Sequence, residues 1–342
     1  MRKTKKIIRH DRADAEAIKR SSLIDGLMSD NMRFDDKDDA SVFFARELDH
    51  VKTESYDVQY PEFTALNKFP ISHEVAEGAE TVTYYGYENT GMAKIISNYA
   101  TDLPRADVKG MPTTALIKSI GNSYGYSVQE MRASRLAGKG LDTRKAKSAR
   151  YQSDRTTNTI AWRGDEDKKL IGLISKNNNV PLYTLDTVKH SGFDVTEWKY
   201  KSAQEILTDI NSMTKYQAKL TKNVEKSDTL FLPSTCFIDI STRQIPNTET
   251  TVKKFLMENA PYLKAIIDCP ELEEDSEETN PYGKNVAVMC KLSEEKFTLE
   301  NPLEFLQYPV QTEGLEMVVP CESRTAGIII YYPLSILIAV GI

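Results

Sequence analysis

Residues 119–165 read SIGNSYGYSVQEMRASRLAGKGLDTRKAKSARYQSDRTTNTIAWRGD. A strand-like run with two glycines leads into SVQEMRASRLA. There Ser127, with Glu130 three residues later, forms a capping box for a short helix over 127–137. Gly138 and Gly140 stop that helix, and Asp142 caps a longer one over 143–163. At 1.5 Å per residue the second helix is about 31 Å long. Ala146, Ala149, Ser153, Thr156 and Ile160 form one narrow seam on it at spacings of three and four. The remainder is polar, with six basic residues (Arg144, Lys145, Lys147, Arg150, Arg155 and Arg163) against the single acid Asp154. A core helix carries a wider apolar stripe. This one is expected to lie across a surface with a basic side outward, and Arg144, Lys145, Lys147, Arg150 and Arg155 are its candidate polyanion contacts.

Upstream, Phe43 to Ile120 reads as extended and β-rich. ETVTYYGY (80–87) alternates as a half-buried strand does, ENTG (88–91) is expected to turn, and MAKIISNYA (92–100) to resume the strand. DLPRADVKGMP (102–112) breaks the pattern and TTALIKSI (113–120) restores it. A ribbon with so few large apolar residues per face cannot be its own domain and must lie on something else, such as another subunit. Tyr84, Tyr85, Tyr87, Met92 and Ile95 are its candidate contacts. Residues 1–45 join a basic start (Arg2, Lys3, Lys5, Lys6, Arg9, Arg12) to an acidic stretch, Asp30 to Asp39, with little to bury. They are expected to form either a floppy terminus or an arm that orders only on a partner.

Downstream, a second domain begins near Lys201. SAQEILTDINSMTKYQAKL opens with the capping box Ser202/Glu205 and carries the stripe Ile206, Leu207, Ile210, Met213, Leu220. TLFLPSTCFIDI reads as a strand, TVKKFLMENAPYL as a helix, and KAIIDC and NVAVMCKL as strands, which makes an α/β unit over 201–295. The acidic run Glu271, Glu273, Glu274, Asp275, Glu277, Glu278 is expected to be a solvated loop. The β-rich ending GLEMVVPCESRTAGIIIYYPLSILIAVGI is expected to return to the first domain. Its last 17 residues are apolar but interrupted by Pro333. They suit a buried strand pair better than a membrane helix, which needs about 20 residues.

Composition sets the outer limits. The chain has 342 residues, 40% hydrophobic and 27% charged, which fits about two soluble globular domains at roughly 150 residues each. The net charge of −6 confines any nucleic-acid contact to a local surface. Cys236, Cys269, Cys290 and Cys321 are far apart, with no CxxC pair, so neither a zinc ribbon nor a disulfide framework is read and the first three are expected in strand cores. The basic N-terminus lacks a following apolar stretch, so no secretion signal is read.

One catalytic pattern matches. GNSYG (121–125) fits the G-x-S-x-G elbow, which would make Ser123 a nucleophile with His190 as the one histidine after it. The order then fails, because 152 residues including a whole domain follow His190. His73-Glu74 is a lone pair, and no P-loop, GxGxxG or HExxH occurs. No cofactor or metal is expected.

Several stretches together resemble one family: YPEFTALNKFPISHEVAEGAETVTYYGYENTGMAKII, YATDLPRADV, SIGNSYGYSVQEMRASRLAGKGLDTRKAKSAR, IAWRGD and VVPCESRTAGIIIYYPLSILIAVGI. They are similar to the major capsid proteins of tailed bacteriophages with the Hong Kong 97 type fold. The likeness is close over 45–175 and 310–342, and follows mainly the order of elements over 200–300. It implies an α+β, Hong Kong 97-like capsid fold. Residues 1–45 would be a flexible N-terminal arm, and 46–120 its continuation and the extended β-hairpin loop. Residues 121–200 plus 296–342 would be the peripheral domain with spine helix 143–163, and 201–295 the axial domain. The resemblance further implies a non-enzymatic shell protein of the virion, assembled in the host cytoplasm. Its partners would be copies of itself in hexamers and pentamers, a portal, scaffolding or decoration proteins, and packaged double-stranded DNA, with no membrane. A nanocompartment (encapsulin-like) shell shares the fold and is the near alternative. A serine hydrolase built on Ser123 is the alternative from another class.

Overall fold

Three short uncharged runs carry the centre of the molecule: TLFL (Thr229–Leu232), VAVMC (Val286–Cys290) and LIAV (Leu337–Val340). Their residues are almost all buried. A strand covered on both faces reads as a near-continuous apolar run, and these do apart from Thr229.

The computed structural model describes residues 61–92, 105–137 and 144–342. Expectations for the arm 1–45, for 93–100 including Ile95, and for the Asp142 cap fall outside them. In chain order the elements are α1 (Thr64–Lys68), β1 (Ile71–Ser72), β2 (Thr81–Gly91), β3 (Ala106–Leu116), β4 (Lys118–Ser127), α2 (Val128–Ala137) and α3 (Arg144–Trp162). Short strands follow: β5 (Gly164–Asp165), β6 (Leu170–Ile171), β7 (Leu182–Tyr183), β8 (Val188–His190) and β9 (Phe193–Val195). Then come α4 (Ala203–Leu220), β10 (Thr229–Leu232), α5 (Ser234–Thr242), α6 (Val252–Asn259), β11 (Ala265–Asp268), β12 (Val286–Cys290) and β13 (Phe297–Glu300). The last are β14 (Leu303–Gln307), β15 (Gln311–Glu313), β16 (Glu316–Thr325), β17 (Gly327–Ile330) and β18 (Leu337–Val340).

The central sheet runs β11-β10-β12-β18-β7. One face sends Leu230, Leu232, Ala287, Met289, Leu337 and Ala339 into a core closed by α4, α5 and α6. The other sends Phe231, Val286, Val288 and Ile338 into a second core. Trp162 at the end of α3, Phe69, and Phe297 and Ile328 of a second sheet (β1-β13-β17-β6-β5) complete it. Phe69 meets Trp162, Phe231 and Phe297 edge-on, with centroids 4.8, 5.8 and 5.6 Å away. Trp162 is thus the packing anchor its place in the sequence suggests. A third sheet joins β4, β14 and β15 around β16, and α3 rests on it through Ala149, Val319 and Cys321. Residues 62–342 form one compact unit, because the central sheet serves both large cores.

Both capping boxes form. Ser127 and Glu130 exchange bonds of 3.1 Å, and Ser202 Oγ accepts from the Glu205 amide while the Ser202 amide donates to the Glu205 carboxylate. On α4 the apolar stripe ends differently from expectation. Leu220 is exposed, and Gln217 takes the buried position, donating to the Ser335 carbonyl and accepting from the Ser227 amide. Just before α4, Lys201 and Asp209 form an ion pair of 2.7 Å with side chains only 1% and 3% exposed. Lys201 also donates to the Asp186 carbonyl and Trp198 Nε1 to Asp209. Burial pushes the Asp209 carboxyl up, against the pull of those two donors.

Other expectations are corrected. TLFLPSTCFIDI is a strand only to Leu232. Pro233 donates no ladder bond, and its carbonyl accepts from Phe237 as the first turn of α5 begins. Cys236 therefore sits on a helix. On α3 the buried seam passes through Thr157, not Thr156, as 3.6 residues per turn require after Ser153. ENTG is not a turn, for β2 pairs with β3 continuously from Thr81↔Leu116 to Gly91↔Ala106. An unbroken ladder outweighs the local turn preference of Asn-Thr-Gly. Gly91 is where the chain departs: its φ is +122°, and a Cβ there would lie 2.6 Å from the Arg105 carbonyl. The carboxy-terminal segment does not all return to one domain. β16 pairs with β4, β17 with β13, and β18 with β12 in the central sheet. The apolar ending is a strand pair, β17 and β18, with a 3-10 turn at Pro333–Ser335 between them. Among the described residues no helix is long and apolar enough to cross a membrane.

Candidate inter-subunit surfaces

The β2–β3 ribbon is the longest hairpin described, about 37 Å for its eleven rungs at ~3.4 Å per residue. No third strand pairs with it among the described residues. Because side chains alternate, Tyr85, Tyr87 and Val108 share one face, and Tyr84 and Met111 share the other. Tyr85, Tyr87 and Val108 are 62%, 73% and 56% exposed. Tyr87 lies over Gly110, where a Cβ would come 3.2 Å from its ring. Met92, just past the ladder, is also exposed.

Tyr84 behaves differently from its neighbours. Its hydroxyl donates to the Ile330 carbonyl at 3.4 Å, and its ring meets Tyr331 edge-on at 5.2 Å. It ties the foot of the ribbon to the body and is not available as an outward contact. One rung further down the ladder, the amide of buried Ile117 donates to the Glu80 carbonyl and joins the two strands at the foot. Of the five expected contacts, three are exposed, Tyr84 is an internal anchor and Ile95 is outside the described residues.

The basic helix α3 is more compensated than its sequence suggests. Arg155 makes a two-pronged bond to Glu278, 2.5 and 3.1 Å, which raises its already high pKa. Lys145 reaches Glu130 at 3.1 Å and the Gly125 carbonyl at 2.9 Å, and holds the Glu130 carboxyl below its usual range. Arg150 lies 3.6 Å from Asp154. Arg144 and Lys147 are exposed, and Lys147 has no acidic partner among the described residues. Arg163 donates to the Glu277 carbonyl.

Those contacts revise the reading of the acidic run, which is not simply solvated. Glu271 is buried, and one of its oxygens accepts from the Thr64 amide and from Asn158 Nδ2. Asn158 in turn accepts from the Ala65 amide. Asn158 and Glu271 therefore fix α1 against α3. The sequence held one signal for this, an asparagine at a buried phase of a polar helix. Glu273 accepts from the Thr235 amide at the start of α5.

Ser123 sits in the middle of β4, opposite Pro320 and exposed. An elbow nucleophile needs a sharp strand-to-helix turn, and this backbone is a regular ladder up to Ser127. His190 lies on the β8–β9 hairpin, stacked on Tyr200 at 4.1 Å, and is not hydrogen-bonded to Ser123. All four cysteines are free and buried. Burial pushes the Cys236 thiol up to about 12, so it is a poor nucleophile.

The arrangement is a body with a bare apolar ribbon and a surface helix, and its nearest chemistry is association. Residues 91–342 match the family model described as major capsid protein. Among solved structures, the capsid of Myoviridae phage XM1 aligns at TM-score 0.73 and 17% identity, covering 88% of this chain and 99% of that one. The capsid of the native GTA particle aligns at 0.60 and 9% identity, covering 90% and 99%. A Mycobacterium phage Bobi chain aligns at 0.59 and 13% identity, covering 85% and 94%. No curated protein matches by sequence.

Proposed function

The chain belongs to the major capsid protein family, and from that premise we propose that it builds the icosahedral shell around the double-stranded DNA of a tailed bacteriophage. Its role is structural rather than catalytic. Its fold is the Hong Kong 97-like capsid fold, with α3 as the spine and β2–β3 as the extended loop. The axial domain would be 201–295, and the pairing of β18 with β12 supports adding that strand to it.

The observation that carries the proposal is the ribbon. A two-stranded hairpin alone is marginal in water, and Tyr85, Tyr87 and Val108 on this one are exposed among the described residues. It gains a partner when it lies over a neighbouring copy. Copies that meet through unlike surfaces close into rings, here of five and six, when the rotation closes. The portal, and any scaffolding or decoration protein, would join that shell, which is assembled in the host cytoplasm and ends as the virion. The spine helix would face the DNA, with the exposed Arg144, Lys147 and Arg150 as its outward cations. Arg150 also pairs with Asp154, as Lys145 does with Glu130 and Arg155 with Glu278. Such contact is electrostatic and reads no base.

Sedimentation and negative-stain microscopy of the purified chain, alone and co-expressed with its phage's scaffold, test the reading. Closed particles or rings of five or six are expected. A monomer under both conditions overturns it. Particles filled with protein cargo rather than DNA would favour a nanocompartment.

A further inference from the structure

The loop between β11 and β12 brings an acid to the outward side of α3. At 3.6 residues per turn, Arg155 stands about 20° from Arg144 around the helix and about 16 Å further along it. Ala149, Ser153 and Ile160 occupy the opposite, buried side. Arg144, Lys147 and Arg155 are all exposed and follow one outward strip. At Arg155 that strip is closed by the two-pronged bond to Glu278.

A built loop holds Glu278 in this place. Asn280 Nδ2 donates to the carbonyls of Leu272, Glu273 and Lys284, and Thr279 Oγ1 to that of Glu271. The base of the loop is fixed to the same helix, because Glu271 accepts from Asn158 Nδ2, less than one turn from Arg155. Just past the helix, Arg163 donates to the Glu277 carbonyl, and Asp165, Glu166 and Asp167 line the cleft beside Glu278. The carboxy-terminal half of the strip therefore carries its own acids. A guanidinium held by two carboxylate oxygens is in the arrangement that a phosphate imposes. The two side chains stay 46% and 63% exposed, so the pair is a weak surface one, open to exchange with an outside anion.

We infer that Glu278 is a built-in stand-in for a DNA phosphate, which occupies Arg155 and confines the subunit's grip on DNA to the amino-terminal half of α3. The inference rests on the reading of α3 as the DNA-facing helix and adds what limits that contact. One phosphate fewer per subunit matters, because each one engaged releases counterions and multiplies the affinity.

The test uses the full chain, kept below the concentration at which it assembles, and a short fluorescent DNA duplex between about 50 and 200 mM salt. The slope of log K against log salt changes by about 0.9 for each phosphate engaged. Glu278→Gln should steepen it by about 0.9 and tighten binding roughly eightfold near 0.1 M salt, with the urea midpoint of the wild type. Glu277→Gln removes an exposed charge but keeps the carbonyl bond to Arg163, and should leave the slope unchanged. Arg155→Gln should also leave it unchanged, and should cancel the gain when combined with Glu278→Gln. A wild-type slope in folded Glu278→Gln overturns the inference and leaves the pair a structural tie. An equal steepening by Glu277→Gln overturns it too, since net charge alone then suffices. Should Glu278→Gln not fold, Arg155→Gln decides: an unchanged slope upholds the stand-in, and a slope shallower by about 0.9 shows that DNA already holds Arg155 and overturns it. The triple variant Arg144→Gln/Lys147→Gln/Arg150→Gln tests the parent reading separately. It should flatten the slope, and a wild-type slope there overturns the DNA-facing role of α3, and the stand-in with it.

Discussion

Replacing Lys201 by methionine leaves the Asp209 carboxylate buried with Trp198 as its one remaining donor. Removing one partner of a buried pair costs about 3–5 kcal/mol, because the other charge stays in a poor solvent. Both side chains here are 3% exposed or less, so little water screening softens the loss. Against a typical domain stability of about 5–15 kcal/mol, the variant loses a large share. The double variant Lys201→Met/Asp209→Leu should recover most of it, apart from about 1 kcal/mol for the Trp198 indole left without an acceptor. Urea unfolding of the unassembled subunit by tryptophan fluorescence measures both. There are two tryptophans, and Trp198 reports from within the site. The pH dependence has a definite sign. Burial already raises the Asp209 carboxyl above its ordinary 3.8, and losing Lys201 raises it further. A raised carboxyl binds its proton more tightly folded than unfolded, so the stability tied to it is present below 3.8 and lost as pH rises through the folded value. The deficit of the single variant should therefore shrink as pH falls from neutral towards 3.8. A deficit under 1 kcal/mol, or one flat across that range, refutes the reasoning.

Three further outcomes follow from the same geometry. Tyr84→Ala should loosen the ribbon foot by about 1–2 kcal/mol, seen as faster amide exchange in 81–87 and 111–116 with the urea midpoint unchanged. Glutamine at Arg144, Lys147 and Arg150 should spare empty shells and lower DNA content, measured by the 260/280 nm ratio of gradient-purified particles; unchanged content removes the DNA role. Ser123→Ala should shift stability by no more than about 0.5 kcal/mol, since Ser123 is exposed in mid-strand, and should alter no esterase background in a chromogenic ester assay.

What the sequence disclosed depended on whether the signal was local. Both capping boxes, the spine helix and the apolar strands β10, β12 and β18 were readable, because caps and apolar runs act within a few residues. The ribbon's register was not. Asn-Thr-Gly looks like a turn until the strand opposite it is known, and that strand carries Pro112 and Gly110, which argue against strand locally. Nor could the helix over 234–242 be separated from a continued strand, since Phe237, Ile238 and Ile240 serve either. The candidate surfaces were half legible. Exposed Tyr85 and Tyr87 follow from alternation, but nothing local told that Tyr84 would turn inward to Ile330. The ion pairs that occupy Lys145 and Arg155 join positions up to 123 residues apart, so a basic count along one helix overstated its free charge.

The placement of β18 bears on time as well as stability. It is an inner strand of the central sheet, between β12 and β7, though about fifty residues separate it from β12. At ~5–20 residues per second on the ribosome, β12 waits about 3–10 s for its partner. During that interval Leu230, Phe231, Met289 and their neighbours have no finished core to enter. A nascent chain interrupted before 337–340 presents a body that cannot close. Because the strand made late completes the sheet that serves both cores, folding of the body is tied to synthesis through 337–340.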